Sequence, residues 1–232
     1  MSVTNVFGQP IGEPLPEWAP CPFPDVMAMN GRWSRVEPLM QHHADELFAE
    51  LAGPDDAGLW TWLPVEMPTD KNAFVDLIDE FALATDRVTV VIRDADGVAC
   101  GMASYLRIDR ASGAVEVGWI VLGKRLQRTV AATEAMYLLG KHVFALGYRR
   151  YEWKCDALNA ASRGAAERLG FTYEGTFRKA LVYKGRNRDT AWYSITDDEW
   201  PSRAAAFEAW LAPSNQQDGV QVRSLASFRD QD

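Results

Sequence analysis

From Val115 to Cys155 the chain reads as strand, loop, helix and strand in succession, and no other stretch limits the available folds as much. Val115 to Val121 is apolar enough for a strand. Ala132, Ala135, Met136, Leu139, Val143 and Leu146 share one face of a helix over 131–146, which Gly147 stops. Tyr151-Glu152-Trp153-Lys154-Cys155 is a strand again. A chain organised round such a unit belongs to the α/β class, and ligands favour the carboxyl ends of strands there.

The flanking segments extend the pattern. Strand-like alternation in Arg32-Trp33-Ser34-Arg35-Val36 gives way after Pro38 to a helical run ending at Gly53. Thr69 or Asp70 can cap a second helix, reaching about Thr85, whose apolar positions are Phe74, Leu77, Ile78 and Phe81. Val88 to Ile92, the turn Asp94 to Gly97, and Ala99 to Ile108 read as a hairpin that precedes the central unit. Beyond it, Asn159 to Leu169 is a short helix closed by Gly170, and strands near 171–183 and 188–196 flank the turn Lys184-Gly185-Arg186-Asn187. A last helix is expected near 198–211.

This organisation suggests one domain over 30–211 between two extensions. Residues 1–29 hold six prolines, which suit an extended arm lying across the domain through Trp18 and Phe23. Residues 212–232 read as a polar, flexible tail.

Charge and composition exclude several functions. A formal net charge of -8 argues against nucleic acid as a partner and would welcome a cationic or amine-bearing substrate. No apolar run approaches the roughly 18–20 residues of a membrane span, and the start MSVTNVFGQP lacks the pattern of a signal peptide, so a cytoplasmic protein is expected. Three widely spaced cysteines and three histidines offer neither a disulfide framework nor a metal site.

The chemistry concentrates at the junction Gly118 to Glu134. A strand meets a helix there through a basic, polar loop, and the free N–H groups of a helix start make an anion site. Arg125 and Arg128 would add positive charge, and the small Ala131 and Ala132 would admit a phosphate close to the backbone. No GxxxxGK[ST] or GxGxxG sequence supports a nucleotide-binding module of another kind.

The segment Gln127-Arg128-Thr129-Val130-Ala131-Ala132 resembles the cofactor-binding motif Gln/Arg-x-x-Gly-x-Gly/Ala of GNAT acetyltransferases. Glu116-Val117-Gly118-Trp119 before it and Ala132-Thr133-Glu134-Ala135 after it are similar to the RimJ/RimL branch, which acetylates protein N-termini and includes relatives acting on small amines. Asn159-Ala160-Ala161-Ser162, Leu169-Gly170-Phe171 and Glu174-Gly175 resemble that branch's second motif, in the right order. The likeness spans roughly residues 30–197.

The resemblance implies a mixed, mostly antiparallel seven-stranded sheet flanked by helices and splayed between its fourth and fifth strands. It implies acetyl-CoA as co-substrate, a primary amine as acceptor, direct attack in a ternary complex, and a homodimer formed through the arm or the final helix. Cofactor contacts would come from Ile120, Val121, Gln127, Arg128, Thr129, Val130, Ala131, Ala132, Thr133, Asn159 and Ser162. A strand-four N–H near Ile120 or Val121 would polarise the acetyl carbonyl.

Glu116 is the candidate base and Ser162 the candidate acid, since the position seven after Asn159, where many family members carry tyrosine, is Ala166. Alternatives stay open. Glu116 reads equally as a strand carboxylate facing solvent, Ser162 as a cofactor or capping residue, and Asn159 as a helix cap. Cys155 reads better as a packed thiol than as a nucleophile. Trp60, Trp62, Trp192 and Tyr193 suit either an acceptor pocket or the core. Val130 stands where the family has glycine, which predicts a crowded loop that holds the pyrophosphate more through side chains such as Thr129. With the missing tyrosine it also motivates a rival, a degenerate domain that binds CoA or a partner without turnover.

Overall fold

The computed structural model describes residues 2–217 and 220–229. In chain order the strands are β1 (Ser2–Thr4), β2 (Pro10–Gly12), β3 (Met29–Asn30), β4 (Arg35–Pro38), β5 (Val88–Arg93), β6 (Ala99–Asp109), β7 (Ala114–Leu122), β8 (Arg150–Asp156), β9 (Thr172–Tyr183), β10 (Arg186–Thr196), β11 (Gln216–Gln217) and β12 (Val220–Gln221). The α-helices are α1 (Ala44–Leu51), α2 (Lys71–Leu83), α3 (Val130–Ala145), α4 (Ala160–Leu169), α5 (Trp200–Leu211) and α6 (Ala226–Arg229). No helix among the described residues is long and apolar enough to cross a membrane.

The main sheet runs in the order β3-β4-β5-β6-β7-β8-β10-β9, antiparallel throughout except for the parallel pair β7 and β8. It has eight strands where seven were expected. The extra one is the dipeptide Met29–Asn30, which pairs with Val36 and Arg35 through a turn too short for periodicity to reveal. That turn is held from a distance: the Glu134 carboxylate on α3 accepts from the N–H groups of Arg32, Trp33 and Ser34 at 2.7–2.8 Å and from the Ser34 hydroxyl at 3.0 Å. Gly31 is required beside it, since a Cβ there would lie 2.2 Å from the carboxylate.

One apolar cluster packs α3 and α5 against one sheet face and includes Tyr105, Val117, Leu139, Val143, Tyr151, Tyr193 and Phe207. A second, with Leu47, Leu51, Phe74, Ile78, Val91 and Met102, joins α1 and α2 to the other. Side chains alternate across a strand, so the period of two in β5 and β6 feeds both clusters. Asp70 caps α2 by accepting from the Ala73 N–H at 3.0 Å, and Gly170 ends α4 with φ +95°, a left-handed conformation that a side chain would strain.

The arm starts as the β1–β2 hairpin and then lies on the domain. Cys21 and Val26 are buried in the first cluster, and the Trp18 indole donates to the Ala111 carbonyl at 2.8 Å. Phe23 is half-buried. At the other end β11 and β12 pair, Leu225 is buried and Phe228 packs on the first cluster. The tail expected at 212–232 extends over 218–219 and 230–232, which lie outside the described residues.

Candidate functional site

The parallel register of β7 and β8 runs only from Ala114–Arg150 to Val117–Trp153. From Gly118 onward β7 continues to Leu122 and β8 to Asp156 without pairing, which opens the expected gap between the fourth and fifth strands of the core sheet. On its other edge β7 carries a bulge: Ser104 faces Gly118, while Met102 faces Val121. Trp119 takes φ +50° at this bulge, and its ring packs edge-on against Phe81, 4.5 Å between centroids. An αL tryptophan persists only when packing over-determines it, and such strain concentrates at functional sites. Ile120 and Val121, which follow the bulge, line the cavity described below.

The loop after β7 is built by its own polar groups. The Gln127 amide donates to the Leu122 carbonyl at 2.8 Å. The Thr129 hydroxyl donates to the Leu126 carbonyl at 2.7 Å and accepts from the Ala132 N–H at 3.2 Å, so it caps α3. The N–H groups of Arg128, Val130 and Ala131 find no acceptor among the described residues. Open donors at a helix start favour an anion.

Two expectations about this loop are corrected. Val130 is the first helical residue, where a β-branched side chain is tolerated. The left-handed position is Arg128, with φ +61°. Arg125 adds no free charge, because Asp94 and Asp96 of the β5–β6 turn bind its guanidinium at 2.7 and 2.9 Å. Among the described residues Arg128 has neither an ion-pair partner nor a side-chain hydrogen bond. The sequence separation of about thirty residues hid the Arg125 pairing.

At the end of β8, Asn159 caps α4 by accepting from the Ser162 N–H at 3.0 Å, and the Ser162 hydroxyl accepts from the Trp153 indole at 3.0 Å. Cys155 is buried, and that burial pushes its thiol pKa up, which opposes a nucleophilic thiolate.

These elements enclose a cavity of about 900 Å³. Of the sequence-predicted residues, Ile120, Val121, Gln127, Arg128, Thr129, Ala132, Thr133, Asn159 and Ser162 line it; Val130, Ala131 and Glu116 do not. Sequence reasoning missed Trp153, Arg168 and the tail residues Arg223 and Ser224, which complete the wall. Among the described residues the lining holds three arginines, Arg128, Arg168 and Arg223, and no carboxylate, in a chain where acids outnumber bases by 32 to 24. A cavity so biased is suited to an anionic ligand.

Glu116 lies elsewhere, at the edge of an ion-pair network between β7, β8 and β10. The Lys154 ammonium contacts Glu116 at 3.1 Å, also pairs with Glu152, and sits 3.8 Å from the Trp192 ring centroid. Arg107 adds a longer contact to Glu116 at 3.7 Å, and Arg150 binds Glu152 and Glu174. Burial raises the Glu116 pKa, with Lys154 the chief opposing influence.

The four aromatics weighed together do not form one cluster. Trp60 is buried with its indole on the Leu51 carbonyl, Trp62 lines the cavity, and Tyr193 is buried on the sheet face opposite Trp192. Among the described residues no group of three or more His, Cys, Asp or Glu could hold a metal ion.

Residues 35–172 match the family model described as an acetyltransferase (GNAT) domain. A GCN5-related N-acetyltransferase structure from Brucella melitensis is similar at 44% identity over 93% of this chain and 100% of that one, with a TM-score of 0.91. A structure described as a GNAT-family acetyltransferase from Chromobacterium violaceum is 38% identical over 83% of this chain and 98% of that one, TM-score 0.78. The microcin C7 self-immunity acetyltransferase MccE, solved with acetyl-CoA and AMP, shares the fold at 22% identity, over 72% of this chain and 93% of that one, TM-score 0.63. No curated protein matches the chain.

Proposed function

Because this chain belongs to the GNAT acetyltransferase family, whose enzymes use acetyl-CoA, we propose that it transfers the acetyl group to a primary amine within a ternary complex. The observation carrying this reading is the cavity that joins the β7–β8 gap to the start of α3, whose described lining holds Arg128, Arg168 and Arg223 and no carboxylate. Val130, Ala131 and Arg128 would give N–H groups to the pyrophosphate, with Arg128 supplying charge, while the acetyl carbonyl would accept from β7 backbone near Ile120 or Val121. Asn159 and Ser162 would bound the pantetheine side.

The amine nitrogen attacks the thioester carbon, the C–N bond forms and the C–S bond breaks. One proton leaves the nitrogen and one reaches the departing sulfur. Glu116, acting through water, is the proposed base: its raised pKa brings it nearer neutrality, where a base works best. Ser162, whose hydroxyl accepts from the Trp153 indole at the edge of the cavity, is the proposed acid.

The motifs at 127–135 and 159–175 favour the RimJ/RimL-like branch, hence a protein N-terminus or a small amine as acceptor. The test is calorimetric titration with acetyl-CoA, followed by thiol release in the presence of candidate amines. Micromolar binding with amine-dependent thiol release supports the reading; binding without release under any amine favours a degenerate domain; no binding removes it.

A further inference from the structure

The loop between β7 and α3 is pinned at two inward residues. The Gly123 N–H donates to the Cys100 carbonyl on β6 at 2.8 Å, and the Gly123 carbonyl accepts from Leu126 and Gln127 at 2.9 and 3.0 Å. A Cβ on Gly123 would lie 2.8 Å from the Glu50 carbonyl oxygen and 2.9 Å from that of Cys100, so the loop starts pressed between α1 and β6. Leu126 is fully buried. Between these two residues stand Lys124 and Arg125, and each is taken by carboxylates of another element. The Lys124 ammonium meets Asp56, just beyond α1, at 3.0 Å, and the other Asp56 oxygen accepts from the Gly53 N–H at 3.0 Å. Arg125 places Nε and one terminal nitrogen on Asp94 at 2.9 and 2.7 Å, and the same terminal nitrogen on Asp96 at 2.9 Å.

The receiving turn is built before Arg125 meets it. The second Asp94 oxygen accepts from the Asp96 and Val98 N–H groups at 3.0 Å, which fixes the β5–β6 turn and aims both carboxylates. Neither Asp56, Asp94 nor Asp96 lines the cavity. By charge alone, three carboxylates beside a loop of open N–H groups disfavour an anion there. Their geometry acts the other way. Arg128 holds φ +61°, a conformation an unconstrained loop would leave, and a loop already in its binding conformation avoids the ordering cost when the ligand arrives.

We propose that Lys124 and Arg125 are positioning residues, which Asp56, Asp94 and Asp96 use to hold the loop in its anion-binding conformation. The proposal rests on the acetyl-CoA reading above. It assigns the basic pair no contact with the ligand; the N–H groups and Arg128 make that contact, and the pair fixes where they stand. Its signature is a reversal of sign: removing a negative charge near the site weakens binding of a negative ligand.

The test titrates wild type, Asp96→Asn, Arg125→Gln, Arg125→Lys and the double variant Asp96→Asn/Arg125→Gln with acetyl-CoA by calorimetry. The Asp96 side chain touches only Arg125, so Asp96→Asn leaves the turn intact. Arg125→Gln should weaken binding about fivefold, the upper size of one exposed ion pair, and Asp96→Asn should weaken it about twofold. The double variant should be no weaker than Arg125→Gln alone, and Arg125→Lys should restore part of the loss. Hydrogen exchange of the 123–131 amides should quicken in Arg125→Gln without ligand and return to the wild-type rate at saturation, while Tm stays within a few degrees; a purely structural role would not make the exchange ligand-dependent. Tighter binding by Asp96→Asn, as plain electrostatics predicts, or additive losses in the double variant, would overturn the clamp and leave the acetyl-CoA reading intact. Should wild type bind no acetyl-CoA, both fall.

Discussion

The two sides of the β7–β8 gap handle charge in opposite ways. Along the cavity wall Arg128 and Arg168 have no counter-ion among the described residues. On the Glu116 side every cation has a carboxylate: Lys154 holds Glu116 and Glu152, and Arg150 holds Glu152 and Glu174. The wall therefore draws its counter-charge from a ligand and should change its affinity, not its fold, when an arginine is altered. The paired side is complete by itself, and its charges set one another's protonation.

Lys154→Met gives the largest expected effect. It strips a nearly buried ammonium from the buried Glu116 and the half-buried Glu152, so roughly 3–5 kcal/mol of stability should be lost at neutral pH. Part of that loss should return on acidification. A carboxyl whose folded pKa is raised binds its proton more readily folded than unfolded, so its contribution is present at low pH and disappears as pH rises through that pKa. Denaturant titrations at two pH values check this, and a variant as stable as wild type at neutral pH breaks the comparison.

Glu116→Gln should lower turnover roughly a hundredfold, the small end of general-base contributions, while leaving acetyl-CoA affinity unchanged. In wild type the acid limb of kcat/KM should lie above the ordinary carboxylate range, with the rate rising as pH rises, because burial raises the Glu116 pKa and only the ionised form accepts a proton. A limb at the ordinary position would remove Glu116 from the role.

Arg128→Glu should weaken acetyl-CoA binding about thirtyfold by calorimetry, from the loss of some 2 kcal/mol of charge-assisted contact, with little change in Tm. A large fall in Tm would mean the wall is structural after all. The smallest effect is expected from Thr129→Ala, which removes the α3 cap and should cost about 1 kcal/mol of stability in chemical denaturation.

Most elements were legible because their signals are local. Caps at Asp70 and Asn159, the stop at Gly170 and the apolar face of 131–146 each depend on residues a few positions apart, and all stand where the sequence puts them. Nine of the eleven expected cofactor residues line one cavity for the same reason: they sit at the ends of elements whose order was readable. β3 was missed because two residues carry no periodicity, and Arg125 was misjudged because its partners come from another hairpin.

By itself the sequence determined the order of strands and helices, the α/β unit with a polar loop at its centre, and the family, since hydrophobic period and motif spacing are properties of neighbours along the chain. Only the tertiary structure decided which arginines stay unpaired, that Arg168 and the tail's Arg223 share a wall with Arg128, and that Glu116 answers to Lys154. Coulomb energy depends on distance in space and on burial, and neither can be read from separation in sequence.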